Sequence, residues 1–376
     1  MSRPNLFKFA TGELSQDAFI CWSLAWGKQR ENTQMRKYGI SLLNAMLKTH
    51  QYDVLDLERI TIVDVRTQVN SIDVLVKFII DEQEFELIIE DKTNTTMHSN
   101  QIKRYFDQRI KQSPKKVILG IYYKTGFIFE DEEKKLENLR KNKYPVKSFD
   151  KEKILDSMCH YLKLIDSDIF HDYYDYIRQK FDSEQEILRN IHSPHMIDLE
   201  KSLKTQAGQV EVLKYIFGNV RVSRGRSYGR PWVNYTFKKG SYKDPKDLLP
   251  DALFYRIDKK KKGFYISLRQ YKNLKKKVFQ DGKAISLEQL KVEKLERLQQ
   301  LTNIFDEVIA EIKSDYPEKY IEPGKKTKDH NGYNESEVGV FYFTEGNTVE
   351  RFKEFFEIFH ERFCNRVDGV FGLSLV

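Results

Sequence analysis

The chain has 376 residues, with 64 Lys+Arg against 56 Asp+Glu for a formal net charge of +8, and 32% of its residues are charged. That length supports two or three domains with a substantial core, for which 25 Phe and 21 Tyr supply the apolar bulk. No apolar stretch approaches the ~20 residues needed to cross a bilayer, and three widely spaced cysteines, Cys21, Cys159 and Cys364, argue against a disulfide framework or a zinc ribbon.

The opening MSRPNLFKFATGELSQ lacks the charged-then-apolar pattern of a signal peptide, so the expectation is a cytoplasmic protein without a membrane partner. Charge is uneven. Residues 1–200 carry 30 Lys+Arg against 32 Asp+Glu, or −2, and the remainder 34 against 24, or +10. A basic half beside an acidic half suits a polyphosphate partner, although charged surface also serves solubility.

Residues 13–27 show helical spacing, with Leu14, Ala18, Phe19, Trp22 and Trp26 in one stripe and Glu13 and Asp17 outside it. Acidic residues at a helix start also complement its dipole. A second helix is predicted over 35–50 and a strand over 60–69. Two β-rich runs follow, 72–80 and 85–92, joined by the polar turn 81–84 as in a hairpin. Strand alternation puts Glu90 and Lys92 on one face, and antiparallel pairing brings Asp73 beside Glu90. Two carboxylates this close repel unless a cation lies between them. Oxygen ligands supplied singly suit Mg²⁺ or Mn²⁺ better than Zn²⁺. Next come a polar loop with His98 and a helix over 100–112 that carries Gln101 and Tyr105 one turn apart on one face. An apolar run at 117–123 reads as a buried strand, joined to the hairpin by a helical crossover that makes the pair parallel.

Asp73 followed by Glu90-Asp91-Lys92 on the next strand resembles the PD-(D/E)XK nuclease superfamily, and Gln101-Ile102-Lys103-Arg104-Tyr105 resembles the Gln-x-x-x-Tyr signature of its exonuclease-like branch. The opening Glu13-Leu14-Ser15-Gln16-Asp17-Ala18-Phe19 is similar to a bacterial branch in which a helix ahead of the sheet carries an extra acidic residue. Ile72 stands where the family's naming proline would be. The resemblance covers roughly the first half of the chain. It implies a restriction-endonuclease-like αβββαβ core with a mixed sheet in an α/β fold. It also implies a metal held by Asp73, Glu90 and Glu13, with Lys92, Gln101 and Tyr105 completing the catalytic set. The substrate it implies is nucleic acid, DNA rather than RNA, with a role in defence against foreign DNA by analogy alone.

Residues 130–147 are charged and largely unpatterned beyond a short helix, and 151–191 look helical, with Phe170, Tyr173, Tyr174 and Tyr176 expected to pack between the two halves. The break at 190–195 is the expected linker, dividing a nuclease-like domain at 1–192 from a basic α+β domain at 196–376. In the second domain a helix over 199–217 precedes a basic loop with Arg221, Arg224, Arg226 and Arg230, interleaved with small residues that let it approach a phosphate backbone. Strands are expected at 233–237, 252–257 and 264–271, with Lys259, Lys260, Lys261 and Lys262 at a hairpin tip, and then a helix at 287–314, a strand at 338–343 and a helix at 349–363. These arginines and lysines are the nucleic-acid-binding candidates. Three readings stay open: a metal-dependent nuclease, a catalytically silent nuclease-fold protein that binds nucleic acid or a protein partner, and a purely structural ion cluster. A homo-oligomer is compatible with any of them.

Overall fold

A computed structural model of the protein describes residues 4–97, 100–227, 230–239, 252–275, 279–280, 283–313, 315, 321–323, 333–346 and 348–371. The candidate His98 lies outside these residues. The chain divides into two compact units, Met1–Gln185 and Glu186–Val376.

The first unit opens with α1 (Glu13–Trp26) and α2 (Gln34–Lys48), the latter capped by Thr33, whose hydroxyl accepts from the Arg36 N–H. Then come β1 (Ile60–Val69), β2 (Ile72–Ile80), β3 (Gln83–Lys92), α3 (Gln101–Gln112), β4 (Val117–Lys124), α4 (Glu130–Lys141), β5 (Val146–Asp150), α5 (Lys151–Cys159) and α6 (Asp168–Asn190). The strands form one five-stranded sheet in the order β1-β2-β3-β4-β5. Its first three strands are antiparallel, and β3, β4 and β5 are parallel, so the sheet is mixed.

Both hairpins turn on two residues with positive φ, Asn70-Ser71 and Asp81-Glu82, the backbone twist that matches paired strands. The turn after β2 is therefore shorter than the four residues expected. Gln83 pairs with Ile80, and β3 starts two residues early. The strand β5 was not foreseen, because its five residues follow a long charged segment and alternate only weakly.

Helices cover both faces of the sheet. Phe19, Leu24, Leu43, Phe170 and Tyr173 pack on Val74, Val76, Leu87 and Ile89 from one side. Ile102, Phe106 and Leu136 pack on Leu75, Ile88 and Tyr122 from the other. The Phe170–Tyr176 cluster, expected between the two halves, thus belongs to the first unit's own core, where Tyr173 stacks on Phe19 at 3.7 Å between centroids. The division between units falls inside α6, ahead of the expected linker at 190–195, where that helix does end.

The second unit contains α7 (Met196–Leu203), α8 (Gln206–Phe217), β6 (Val222–Ser227), β7 (Arg230–Lys239), β8 (Ala252–Lys260), β9 (Gly263–Tyr271), the short ribbon β10 (Phe279–Gln280) and β11 (Lys283–Ala284), α9 (Leu287–Ile312), β12 (Ile321–Pro323), β13 (Glu335–Tyr342) and α10 (Val349–Phe371). Six strands form a second, wholly antiparallel sheet ordered β12-β13-β9-β8-β7-β6. The predicted 199–217 helix is two helices, because Thr205 caps α8 through Gly208 N–H. The segment expected as a basic loop is an edge hairpin, with Arg226 opposite Pro231 and Ser227 opposite Arg230. Among the described residues no helix is long and apolar enough to cross a membrane.

Candidate active site

The register that pairs Val74 with Ile89 brings Asp73 to Glu90 at the end of the β2–β3 hairpin. Asp73 Oδ2 accepts the Asp91 N–H at 2.9 Å, tying the two strands at this point. Glu90 and Lys92 share the α3-facing side with Leu75 and Ile88. The ammonium of Lys92 lies 2.6 Å from Glu90 Oε1, 3.6 Å from Asp73 Oδ2 and 3.8 Å from Glu13 Oε2. It also donates to the Asp91 carbonyl at 2.7 Å. Four of the six predicted catalytic residues therefore converge on a single point.

Glu13 arrives from the first turn of α1 and is held by the loop after β3. Its Oε1 accepts from Thr93 N–H at 3.1 Å and from the Thr95 hydroxyl at 2.6 Å. That loop is fixed from two more directions. Lys124, at the end of β4, donates to the Thr95 carbonyl at 2.5 Å and to Glu132 of α4 at 3.1 Å, and Tyr122 donates to the same Glu132 oxygen at 2.5 Å. Gly126 packs directly against Thr93, so that a Cβ there would run into the Thr93 carbonyl oxygen. None of Thr93, Lys124, Gly126 or Glu132 stands out in the sequence, and Thr95 does so only as part of the polar loop at the site mouth. Each acts through contacts between segments distant along the chain.

Gln101 and Tyr105 lie at this end of α3, but Tyr105 turns to the backbone and Gln101 to Tyr105. The buried Tyr105 hydroxyl donates to the Ser71 carbonyl and accepts from Gln101 Nε2 at 2.8 Å, so the pair locks the β1–β2 turn beside Asp73. Burial, with the charges of Glu90 and Asp73 nearby, pushes the Tyr105 phenol up from its ordinary range.

The centre is short of positive charge. Burial, and then the Asp73 charge, push Glu90 from 4.5 up to about 7 against the pull of Lys92. Burial alone would lower the Lys92 ammonium, but Glu90, Asp73 and Glu13 together outweigh it and raise it instead. Glu90 Oε2 is buried without a hydrogen-bond partner.

Behind this centre lies a second acidic pair that sequence reasoning saw only in part. Asp91 points to the opposite, α1-facing side of β3 and is fully buried, with neither carboxyl oxygen hydrogen-bonded. Asp17, 3% exposed, accepts from Gln68 at 3.2 Å through one oxygen while the other has no partner. Burial, then Asp73, raise Asp17 from 3.8 to about 7; burial, then Asp17, hold Asp91 well above the carboxylate range. The available signal for Asp91 is its place on the face of β3 that otherwise carries Phe85, Leu87 and Ile89, where alternation buries the acid.

The donor set at the centre is oxygen only. Among the described residues no group of three or more His, Cys, Asp or Glu is arranged to hold a metal ion. Two carboxylates completed by waters and phosphate oxygens nonetheless suffice for Mg²⁺, which rarely takes an all-protein cage. The Asp73–Glu90 pair, with an unpartnered buried oxygen, fits that pattern.

Several of the nucleic-acid-binding candidates of the second unit are engaged within it. Lys259 pairs with Glu200 at 3.6 Å, Lys260 with Glu337 at 2.9 Å, and Lys262 with Glu322. Arg224 donates to Gln206 at 3.2 Å. Arg221, Arg226, Arg230 and Lys261 are exposed. No family model, no curated protein and no solved structure matches the chain.

Proposed function

We propose that the protein is a metal-dependent nuclease of the PD-(D/E)XK type that hydrolyses phosphodiester bonds, in DNA rather than RNA, on a restriction-endonuclease-like core. The observation that carries the reading is the convergence of Glu13, Asp73 and Glu90 on the Lys92 ammonium within 3.8 Å. A purely structural ion pair has no use for three carboxylates against one ammonium in a buried setting, because the excess charge costs stability.

Asp73 and Glu90, with Glu13 beside them, would hold Mg²⁺ or Mn²⁺, which when bound lowers the pKa of a water and neutralises phosphate charge. Lys92 supplies a fixed cation, kept protonated by its three neighbours, against which charge developing on a phosphate oxygen is stabilised. Glu13 couples the centre to the Thr93–Thr95 loop, and Tyr105 with Gln101 fixes the turn that carries Asp73.

The test incubates purified protein with linear, circular and single-stranded DNA and with RNA, in Mg²⁺ or in chelator. Chelator-sensitive cleavage is expected, with Lys92→Ala losing cleavage while keeping metal binding and Asp73→Ala losing both. Cleavage unchanged in either variant rejects the assignment. A second reading, binding of nucleic acid or of a protein partner without cutting, draws on the ammonium of Lys92 itself filling the centre of the carboxylates. It requires that no substrate be cut under any metal condition.

A further inference from the structure

Two helices beside the candidate centre enclose a cavity of about 460 Å³. Its apolar floor is Met97, Leu139 and Tyr144, continuous with the core under α3 and α4. Its rim carries Lys103 and Asn100 from the start of α3, and Lys135 and Asn138 from α4. Residues 135, 138, 139 and 142 recur at helical spacing, so α4 presents one continuous stripe to this space.

We propose that this cavity seats an unpaired nucleotide of a single-stranded nucleic acid whose strand continues to a phosphodiester at the Glu13–Asp73–Glu90–Lys92 centre. The inference rests on the nuclease reading and adds the form of the substrate and its path.

The first argument is charge. A centre with three carboxylates repels a polyanion, which therefore needs an anchor close by. On the outer side of α4, Lys134 pairs with Glu130, and Lys141 pairs with Glu137 at 2.9 Å. Lys103 and Lys135 are different: neither makes an ion pair among the described residues, and both line the cavity. The second argument is chemistry. The side-chain amides of Asn100 and Asn138 make no hydrogen bond among the described residues, leaving donors and acceptors for the edge of a base above an apolar floor that accepts its face.

Distance is the third argument. The loop whose Thr93 N–H holds Glu13 ends at Met97 in the cavity floor. Four residues span at most about 14 Å, or no more than about four nucleotides at roughly 3.4 Å each along a stacked strand. Size is the fourth, since a space of about 460 Å³ admits one or two nucleotides and not a duplex.

The experiment measures binding of a fluorescein-labelled single-stranded oligonucleotide to the full chain in EDTA by anisotropy, across a salt series, so that no cleavage intervenes. Lys103→Ala/Lys135→Ala should weaken binding on the order of tenfold and lower the salt slope by about 1.4, two phosphate contacts at about 0.7 each. Lys134→Ala should match the wild type. Asn100→Ala/Asn138→Ala should narrow the difference between oligo(dA) and oligo(dT) at an unchanged slope. Unaltered affinity and slope in the double lysine variant, no binding of single strand by the wild type, or equal competition by duplex would each overturn the inference. Cleavage retained alongside neutral cavity variants removes this inference alone. The expected binding pattern without any cleavage in Mg²⁺ removes the nuclease reading alone.

Discussion

Two glutamates on the same face of β3, four residues apart and both fully buried, have opposite surroundings. Glu86 receives both arms of the Arg109 guanidinium, at 2.7 and 2.8 Å, and the Ser113 hydroxyl at 3.1 Å. Glu90 receives a single ammonium and faces a second carboxylate, Asp73, and its proton affinity rises until it titrates at about 7. One end of the strand is a satisfied ion pair that helps dock α3, and the other gathers Glu13, Asp73 and Glu90 around the single ammonium of Lys92. A buried carboxylate is thus not in itself a sign of function; its surplus over available donors is.

The largest expected effect separates the two ends directly. Arg109→Ala leaves Glu86 buried with only the Ser113 hydroxyl and the more distant Lys116 ammonium, and should cost about 3 kcal/mol, read as a lowered urea midpoint that Mg²⁺ does not restore. Lys92→Ala should also destabilise the metal-free protein, but with Mg²⁺ recovering stability if, as proposed, the carboxylates it leaves behind hold a cation. Equal Mg²⁺ rescue of both variants would erase the distinction.

The next effect is Mg²⁺ on the wild type. A ligand that binds only the folded state at 100 times its dissociation constant stabilises it by about 2.7 kcal/mol. The melting temperature should rise with Mg²⁺ and stay flat in Asp73→Ala. A flat response in the wild type argues for the structural or binding readings.

How much of this contrast could be read from the sequence follows from how local each signal is. Strand alternation alone put Glu90 and Lys92 on one face, and the short hairpin put Asp73 opposite, so the centre needed only near-neighbour geometry. Arg109 as the partner of Glu86 was invisible, since it depends on how α3 crosses the sheet. Lys124, Gly126 and Glu132 stayed hidden for the same reason: they meet the Thr93–Thr95 loop only once β4 and α4 are in place. The arginines from Arg221 to Arg230 read as a loop because their small neighbours suggested one, while cross-strand pairing made them an edge hairpin.

A smaller effect comes from the pair behind the centre. Asp17 holds its proton up to about 7 in the fold and only to 3.8 in the free chain. Between those values the folded state binds the proton that the unfolded chain has lost, so stability falls as pH rises through that window and levels off above it. Urea midpoints at pH 5 and pH 8 should therefore differ, with the protein less stable at pH 8. Asp17→Asn, which keeps the Gln68 contact and cannot ionise, should bring the two midpoints closer. Identical pH slopes in variant and wild type would show that the titration lies elsewhere.

The smallest effect tests whether the satisfied end of β3 depends on its rim. Lys116 lies 3.1 Å from the half-exposed Glu84 and 3.8 Å from Glu86, and a quarter of its side chain is in solvent. Water screens such a pair and the long side chain loses rotamer freedom in forming it, so Lys116→Ala should cost under about 1 kcal/mol. Glu86 keeps the Arg109 fork and the Ser113 hydroxyl in that variant, and these already satisfy both its oxygens. A loss as large as that of Arg109→Ala would mean that Glu86, too, is underpaired without Lys116. The two ends of the strand would then differ in degree only, and the surplus of charge around Glu90 would no longer single it out.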